Sequence, residues 1–213
     1  MKQIALVLFT LFSVSVFAQE KIDYLSAGND LLNQNKPKEA EKIFKNGLKK
    51  EPNNLILKNQ IALAQMDQKE NKKAQKTLDE ILKNDSLNVA SLWYSGINNY
   101  SRETPNFIEA IKHFEKAYPL IGKSSKQYYA VNYYIGNAYR NLLFSEGLSY
   151  QEVDRMLETL NIYTDLQPNA PDYASTKQLI EKIETNRPPK NVKKWVISNG
   201  QNATKIIKKS LKE

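Results

Sequence analysis

Gly28, Ala62 and Gly96 stand 34 residues apart, twice in succession. Ala40 and Ala74 keep the same interval, and each is followed four residues later by a large apolar side chain, Phe44 and Leu78. The third unit carries two additional residues and then resumes the pattern with Ala110, Phe114 and Ala117. A small residue at a fixed period marks a place where two helices approach closely, and the large residue beside it fills the remaining space. The interval is the length of a helical hairpin. It predicts an all-α chain of stacked hairpins, with units near 21–54, 55–88, 89–122 and 124–170 and a partial unit over 171–186.

The apolar spacing within each unit agrees with two helices and a turn. Tyr24, Ala27, Gly28 and Leu31 share one helical face, and Asn33 to Lys36 form a polar turn. Pro37 suits the first turn of the next helix, where its missing N–H costs little. Ala40, Ile43, Phe44 and Leu48 carry that helix, which Pro52 closes. The fourth unit is longer, since Gly136 lies 40 residues after Gly96. Ser149 followed by Glu152 reads as a capping box. A further helix is predicted from about Asp172 to Glu184, ended by Pro188 and Pro189. Val192, Trp195, Val196, Ala203, Ile206, Ile207 and Leu211 form an approximate stripe opposite lysines. Residues 187–213 are therefore expected to be a basic C-terminal helix that caps the stack or lies on a surface, for about nine or ten helices in all.

The first eighteen residues differ from the rest. Lys2 precedes the apolar run Ile4 to Phe9, and Val16, Phe17 and Ala18 supply a small-residue cleavage pattern. This is the plan of a secretory signal peptide, residues 1–18, cut after Ala18. Thr10, Ser13 and Ser15 interrupt the run before it reaches the roughly 20 apolar residues of a membrane span. The expected location is periplasmic or secreted. The chain has no Cys, which removes lipid attachment through cysteine, disulfides and thiolate metal ligation.

The net charge of +8 is unevenly placed. Residues 187–213 hold eight Lys or Arg against one Glu, and Lys2 leaves with the signal peptide, so residues 19–186 contain 22 basic and 22 acidic side chains. Electrostatic attraction to an anionic surface must come from the C-terminal segment. Its basic-surface candidates are Lys190, Lys193, Lys194, Lys205, Lys208 and Lys209. A basic amphipathic segment with a Trp suits an anionic membrane surface or cell wall. Nucleic acid is not an expected partner, because no nucleic-acid-binding motif is present.

Tyr24, Ala27, Gly28, Leu31, Ala40, Phe44, Gly47 and Pro52 resemble the tetratricopeptide repeat consensus. So do Leu92, Gly96, Ala110, Phe114 and Ala117, and less completely Ile61, Ala62, Ala74, Leu78 and Ile81. The resemblance covers roughly residues 21–170. It implies a right-handed superhelix whose first helix in each unit faces a concave groove that receives a partner protein or peptide. The groove candidates it implies are Asn29, Asn33, Asn59, Trp93, Tyr100, Tyr133, Asn137 and Arg140. Leu25 and Leu63 stand where a carboxylate clamp needs polar side chains, so such a clamp is not expected.

Nothing in the sequence points to catalysis. His113 is the single histidine and has no second His or Cys with which to hold zinc. It is accompanied by no nucleophile elbow and no Ser-x-x-Lys signature. Asp79 and Glu80, and Glu181 and Glu184, lie on polar helix faces rather than across a cleft. The glycines are isolated and form no phosphate-cradling loop. The expectation is a non-enzymatic scaffold of the bacterial cell envelope, with no catalytic residue, cofactor or metal, that binds a partner in its groove. The alternative is a structural factor attached to membrane or wall through its basic C-terminal helix.

Overall fold

A computed structural model describes residues 23–197. Among these residues are nine α-helices: α1 (Tyr24–Asn33), α2 (Pro37–Lys50), α3 (Leu55–Asp67), α4 (Asn71–Asn84), α5 (Val89–Ser101), α6 (Phe107–Ala117), α7 (Lys126–Ser145), α8 (Tyr150–Leu166) and α9 (Tyr173–Thr185). A 3-10 turn, Tyr118–Leu120, follows α6. Each helix packs on the next in sequence, and α3 also meets α5. The helices thus pair into hairpins that stack, with the odd-numbered helices as the first member of each pair.

The helix ends follow from local chemistry. Asn54, Asn88 and Asn106 cap α3, α5 and α6 by accepting from the N–H groups of Leu57, Ser91 and Glu109 at 3.0–3.1 Å. Asp23 does the same for α1, and Pro37 opens α2. At the start of α8, Glu152 N–H donates to Ser149 Oγ while Ser149 N–H donates to Glu152 Oε2. This reciprocal box satisfies two N–H groups that the helix leaves open. Ser149→Ala is expected to cost about 1 kcal/mol. In a thermal melt the midpoint should fall by about 2–4 °C, and an unchanged midpoint would refute the cap's contribution.

The 34-residue interval is explained by close approach between the helices of one pair. The α-carbon of Gly96 faces the Phe114 ring so closely that a β-carbon there would lie 2.5 Å from it. Gly28 faces Phe44 in the same way, and Gly136 faces Leu160. Phe44, Leu78 and Phe114 are fully buried. The core is accordingly distributed along the stack, with separate apolar clusters around Phe44, around Phe114, and around Met156 and Leu160.

Neighbouring hairpins are joined by side chains that recur at the same interval. Glu41 and Gln75 occupy equivalent positions on α2 and α4, as do Gln65 and Asn99 on α3 and α5. Gln65 donates to Glu41 at 3.0 Å, and Asn99 donates to Gln75 at 3.0 Å. Gln68 and the ammonium groups of Lys45 and Lys73 also converge on Glu41. The third interface breaks the series. Ile111 and Tyr139 stand at the equivalent positions and pack together in the apolar cluster of α7 and α8. There the polar tie is displaced outward, to Arg155 of α8, which grips both carboxylate oxygens of Glu115 on α6 at 2.8 and 2.9 Å.

The C-terminal expectation requires correction. Residues 187–197 form no helix. Trp195 instead pairs antiparallel with Leu148, its N–H donating to Leu148 O at 2.7 Å and its carbonyl accepting from Leu148 N–H at 2.8 Å. Ile197 N–H donates to Leu143 O at 3.0 Å. Pro188 and Pro189 stop α9, and the α7–α8 turn offers backbone groups that an extended strand can satisfy. Trp195 and Ile197 then bury against the apolar cluster beneath. The strap is anchored at its start by Arg187, which bonds Asp154 and Tyr150 O and lies 3.7 Å over the Tyr150 ring. Lys190, Lys193 and Lys194 are exposed along this extended segment. Lys205, Lys208 and Lys209, and the signal-peptide expectation, lie outside the described residues.

Candidate protein-binding groove

The odd-numbered helices carry the residues that the sequence places on a binding face, and the structure divides them. Asn33 and Arg140 are exposed, and Asn29, Trp93, Tyr100 and Tyr133 are half-buried. Asn59 and Asn137 are buried at 4% and 8% exposure. The Asn59 amide donates to Leu55 O and to Asn88 Oδ1, and its oxygen accepts from Ser91 Oγ at 2.8 Å. Asn59 therefore ties α3 to α5 and has no atom left for a partner. Asn137 donates to Tyr133 O and accepts from Arg140 at 3.4 Å. It orients the Arg140 guanidinium rather than facing solvent itself. Both amides are corrections to the sequence expectation, and the reason is physical: a buried amide must pair its hydrogen-bonding groups within the protein.

Trp93, Tyr100 and Tyr133 belong to one aromatic cluster. Tyr134 is its hub: it stacks on Phe114 with ring centroids 5.3 Å apart, and Trp93, Tyr100 and Tyr133 meet it edge to face at 5.8, 5.1 and 5.3 Å. Tyr133 continues the series to Tyr163 at 5.0 Å, and Tyr100 to Phe107 at 5.5 Å. Edge-to-face rings of this kind hold one another in fixed orientation. Burial pushes the Tyr100 hydroxyl up to about 12, with Tyr133 and Tyr134 adding to the effect, so it remains a neutral hydrogen-bonding group. Burial likewise raises Tyr134 and Tyr163, the latter also through its hydrogen bond to Asp172. A rigid, amphipathic ring surface of this sort suits protein recognition, because little side-chain entropy is lost on contact.

Beside this cluster, Arg140 on α7 lines a cavity of about 560 Å³ together with Ser175, Gln178, Leu179 and Lys182 on α9 and Asn186 just beyond it. The sequence alone did not place these residues next to Arg140. Their separation in the chain hides the proximity, although helical spacing places Ser175, Gln178, Leu179 and Lys182 on one face of α9.

His113 is 15% exposed at its side chain, and its Nε2 lies 4.0 Å from Glu109. Burial lowers its pKa, against the opposing pull of Glu109 and Asp79. Among the described residues no group of three or more His, Asp or Glu is arranged to hold a metal ion, and no helix is long and apolar enough to cross a membrane.

Residues 31–93 match the Tetratricopeptide repeat family. This span runs from the end of α1 through the α2, α3 and α4 helices into α5, and includes Ala40, Phe44, Ala62, Ala74 and Leu78. Within this span the chain resembles a tetratricopeptide repeat. Its fold is similar to that in the crystal structure of MamA protein, at 18% identity, with 89% of this chain and 88% of that chain covered and a TM-score of 0.58. It is also similar to a MamA RS-1 ArsTM double mutant, at 14% identity, with 89% and 91% covered and a TM-score of 0.60. At these identities the likeness is one of fold. No curated protein matches the sequence. A tetratricopeptide repeat is a scaffold that works by binding proteins rather than by catalysis, in agreement with the expectation of a non-enzymatic chain with a protein partner.

Proposed function

We propose that this chain is an exported tetratricopeptide repeat scaffold of the bacterial cell envelope that holds a partner protein or peptide on the face of its odd-numbered helices. The observation that carries this reading is the rigid aromatic surface of Trp93, Tyr100 and Tyr133, flanked by the exposed Arg140 guanidinium and the cavity beside it. Aromatic and Arg side chains supply most of the binding energy in protein interfaces when they sit in packed surroundings. Export is supported by the charged, apolar and small-residue order of residues 1–18.

Crosslinking and capture from native envelope fractions would test the groove. Wild type is to be compared with a Trp93→Ala/Tyr133→Ala variant and, because those rings also pack internally, with the exposed change Arg140→Glu. A specific partner captured by wild type is expected to be lost by the first variant and reduced about tenfold by the second, with helical content unchanged. Equal capture by all three would reject the groove. It would favour instead peripheral attachment to membrane or wall through the basic segment that contains Lys190, Lys193 and Lys194.

A further inference from the structure

We infer that the cleft between the α3–α4 turn and the α5–α6 turn is a second docking site, which takes an acidic segment of a partner protein. The inference rests on the reading that this chain binds proteins, but it concerns a different surface. The α5–α6 link spans residues 102–106, whereas the equivalent links span 34–36 and 68–70. The two additional residues of the third unit therefore sit in this link. Together with the preceding turn it encloses a cleft of about 650 Å³, lined by Lys69, Glu70, Asn71, Lys72, Lys73, Arg102, Glu103 and Thr104.

The cleft carries an excess of positive charge in a body that is otherwise balanced between residues 19 and 186. Of its four cations, Lys73 is engaged by Glu70 at 2.7 Å and by Glu41 at 3.1 Å. Lys69, Lys72 and Arg102 form no ion pair among the described residues, and Glu103 is the one lining carboxylate not paired with Lys73. Arg102 Nε donates to Thr104 O at 2.9 Å. This holds the guanidinium in place and leaves its two terminal nitrogens for a ligand, a fork that matches a carboxylate. The positive end of α4 adds to the same field, since no side chain caps its first turn.

Lys69 itself is unusual. Its φ of 61° lies in the left-handed region, where Asn35 stands in the first unit with φ of 57°. Asn tolerates that backbone through local hydrogen bonds, and Lys does not.

The occupant follows from size and charge. The cleft exceeds a single phosphate and is wide enough for several side chains, and Glu103 disfavours a compact dianion more than a chain of spaced carboxylates. An acidic peptide fits both conditions.

The test is fluorescence anisotropy with a labelled Glu- and Asp-rich peptide, titrated with the full chain at near-physiological salt. Lys69→Glu/Lys72→Glu and Arg102→Glu are each compared with Lys38→Glu/Lys42→Glu on α2, a charge change on another exposed surface. Both cleft variants are expected to bind at least about tenfold more weakly than wild type, and the α2 control within about twofold. Equal binding by all the proteins, or an equal loss in cleft and control variants, would overturn the inference and assign the peptide to the basic C-terminal segment. Displacement of the peptide by millimolar inorganic phosphate would also overturn it, in favour of a phosphate site. Failure here with intact partner capture by the groove would leave the scaffold reading standing, and the converse pair of results would reject the groove alone.

Discussion

Phe114→Ala is expected to lower stability by about 3–5 kcal/mol. The side chain is fully buried and reaches α5 at the one place where Gly96 permits contact with the backbone. It also stacks on Tyr134 and meets the Trp93 ring edge to face at 5.6 Å. Removing it empties the space that Gly96 leaves and withdraws the support beneath the aromatic surface. Gly96 cannot fill that space, and the surrounding rings relax only in part. Urea unfolding should report the loss directly, and a thermal melt should show a midpoint lower by on the order of 10 °C. A loss below about 1 kcal/mol would show that the ring is not what holds this hairpin closed. Because the unit contacts only its neighbours, the variant should also unfold less cooperatively than wild type.

Glu41→Gln is expected to remove about 3 kcal/mol at neutral pH and, with it, much of the sensitivity to acid, since each pH unit between the folded and unfolded pKa values is worth about 1.4 kcal/mol. The carboxylate is 6% exposed, and burial alone would raise its pKa. Hydrogen bonds from Lys45, Gln65, Gln68 and Lys73 outweigh that effect and hold it at about 2, against an ordinary value of 4.5. A pKa lowered on folding stabilises the native state above the unfolded value, and the contribution is lost as pH falls through the folded one. The wild-type advantage should therefore be complete above about pH 5 and gone near pH 2. Denaturant unfolding at intervals from pH 7 to about pH 2 measures both curves. They should converge at low pH. Parallel curves would mean that Glu41 is not the group whose protonation loosens the first two hairpins.

These two residues show why part of the fold is legible in the sequence and part is not. Phe114 and Gly96 announce themselves as the same small-and-large pair as Phe44 and Gly28, spaced two residues further apart, because helices packed at contact distance leave room for a large side chain only opposite a small one. Glu41 gives no such signal. It reads as one of many charged residues on a polar helix face, and its burial depends on Gln65, Gln68 and Lys73 in the next hairpin. Asn59 illustrates the same difficulty at the candidate groove. An amide on the first helix of a unit serves equally for a partner or for the neighbouring helix, and only Asn88 and Ser91 decide for the latter. Helical spacing places Tyr134 between helices, but its role as the hub of four rings is visible only in three dimensions.

What the sequence determined by itself is the repeating hairpin: small and large residues paired in each unit, the capping box of Ser149 and Glu152, and an all-α stack. These are local or strictly periodic properties, set by helix geometry and by the space between two adjacent helices. The tertiary structure alone decided which polar side chains bind the hairpins together, which aromatic rings form one surface, and where the additional residues of the third unit open a cleft. It also turned the end of the described chain from an expected amphipathic helix into an extended strap, because the α7–α8 turn supplies backbone partners to Trp195 and Ile197 that no reading of residues 187–197 in isolation contains.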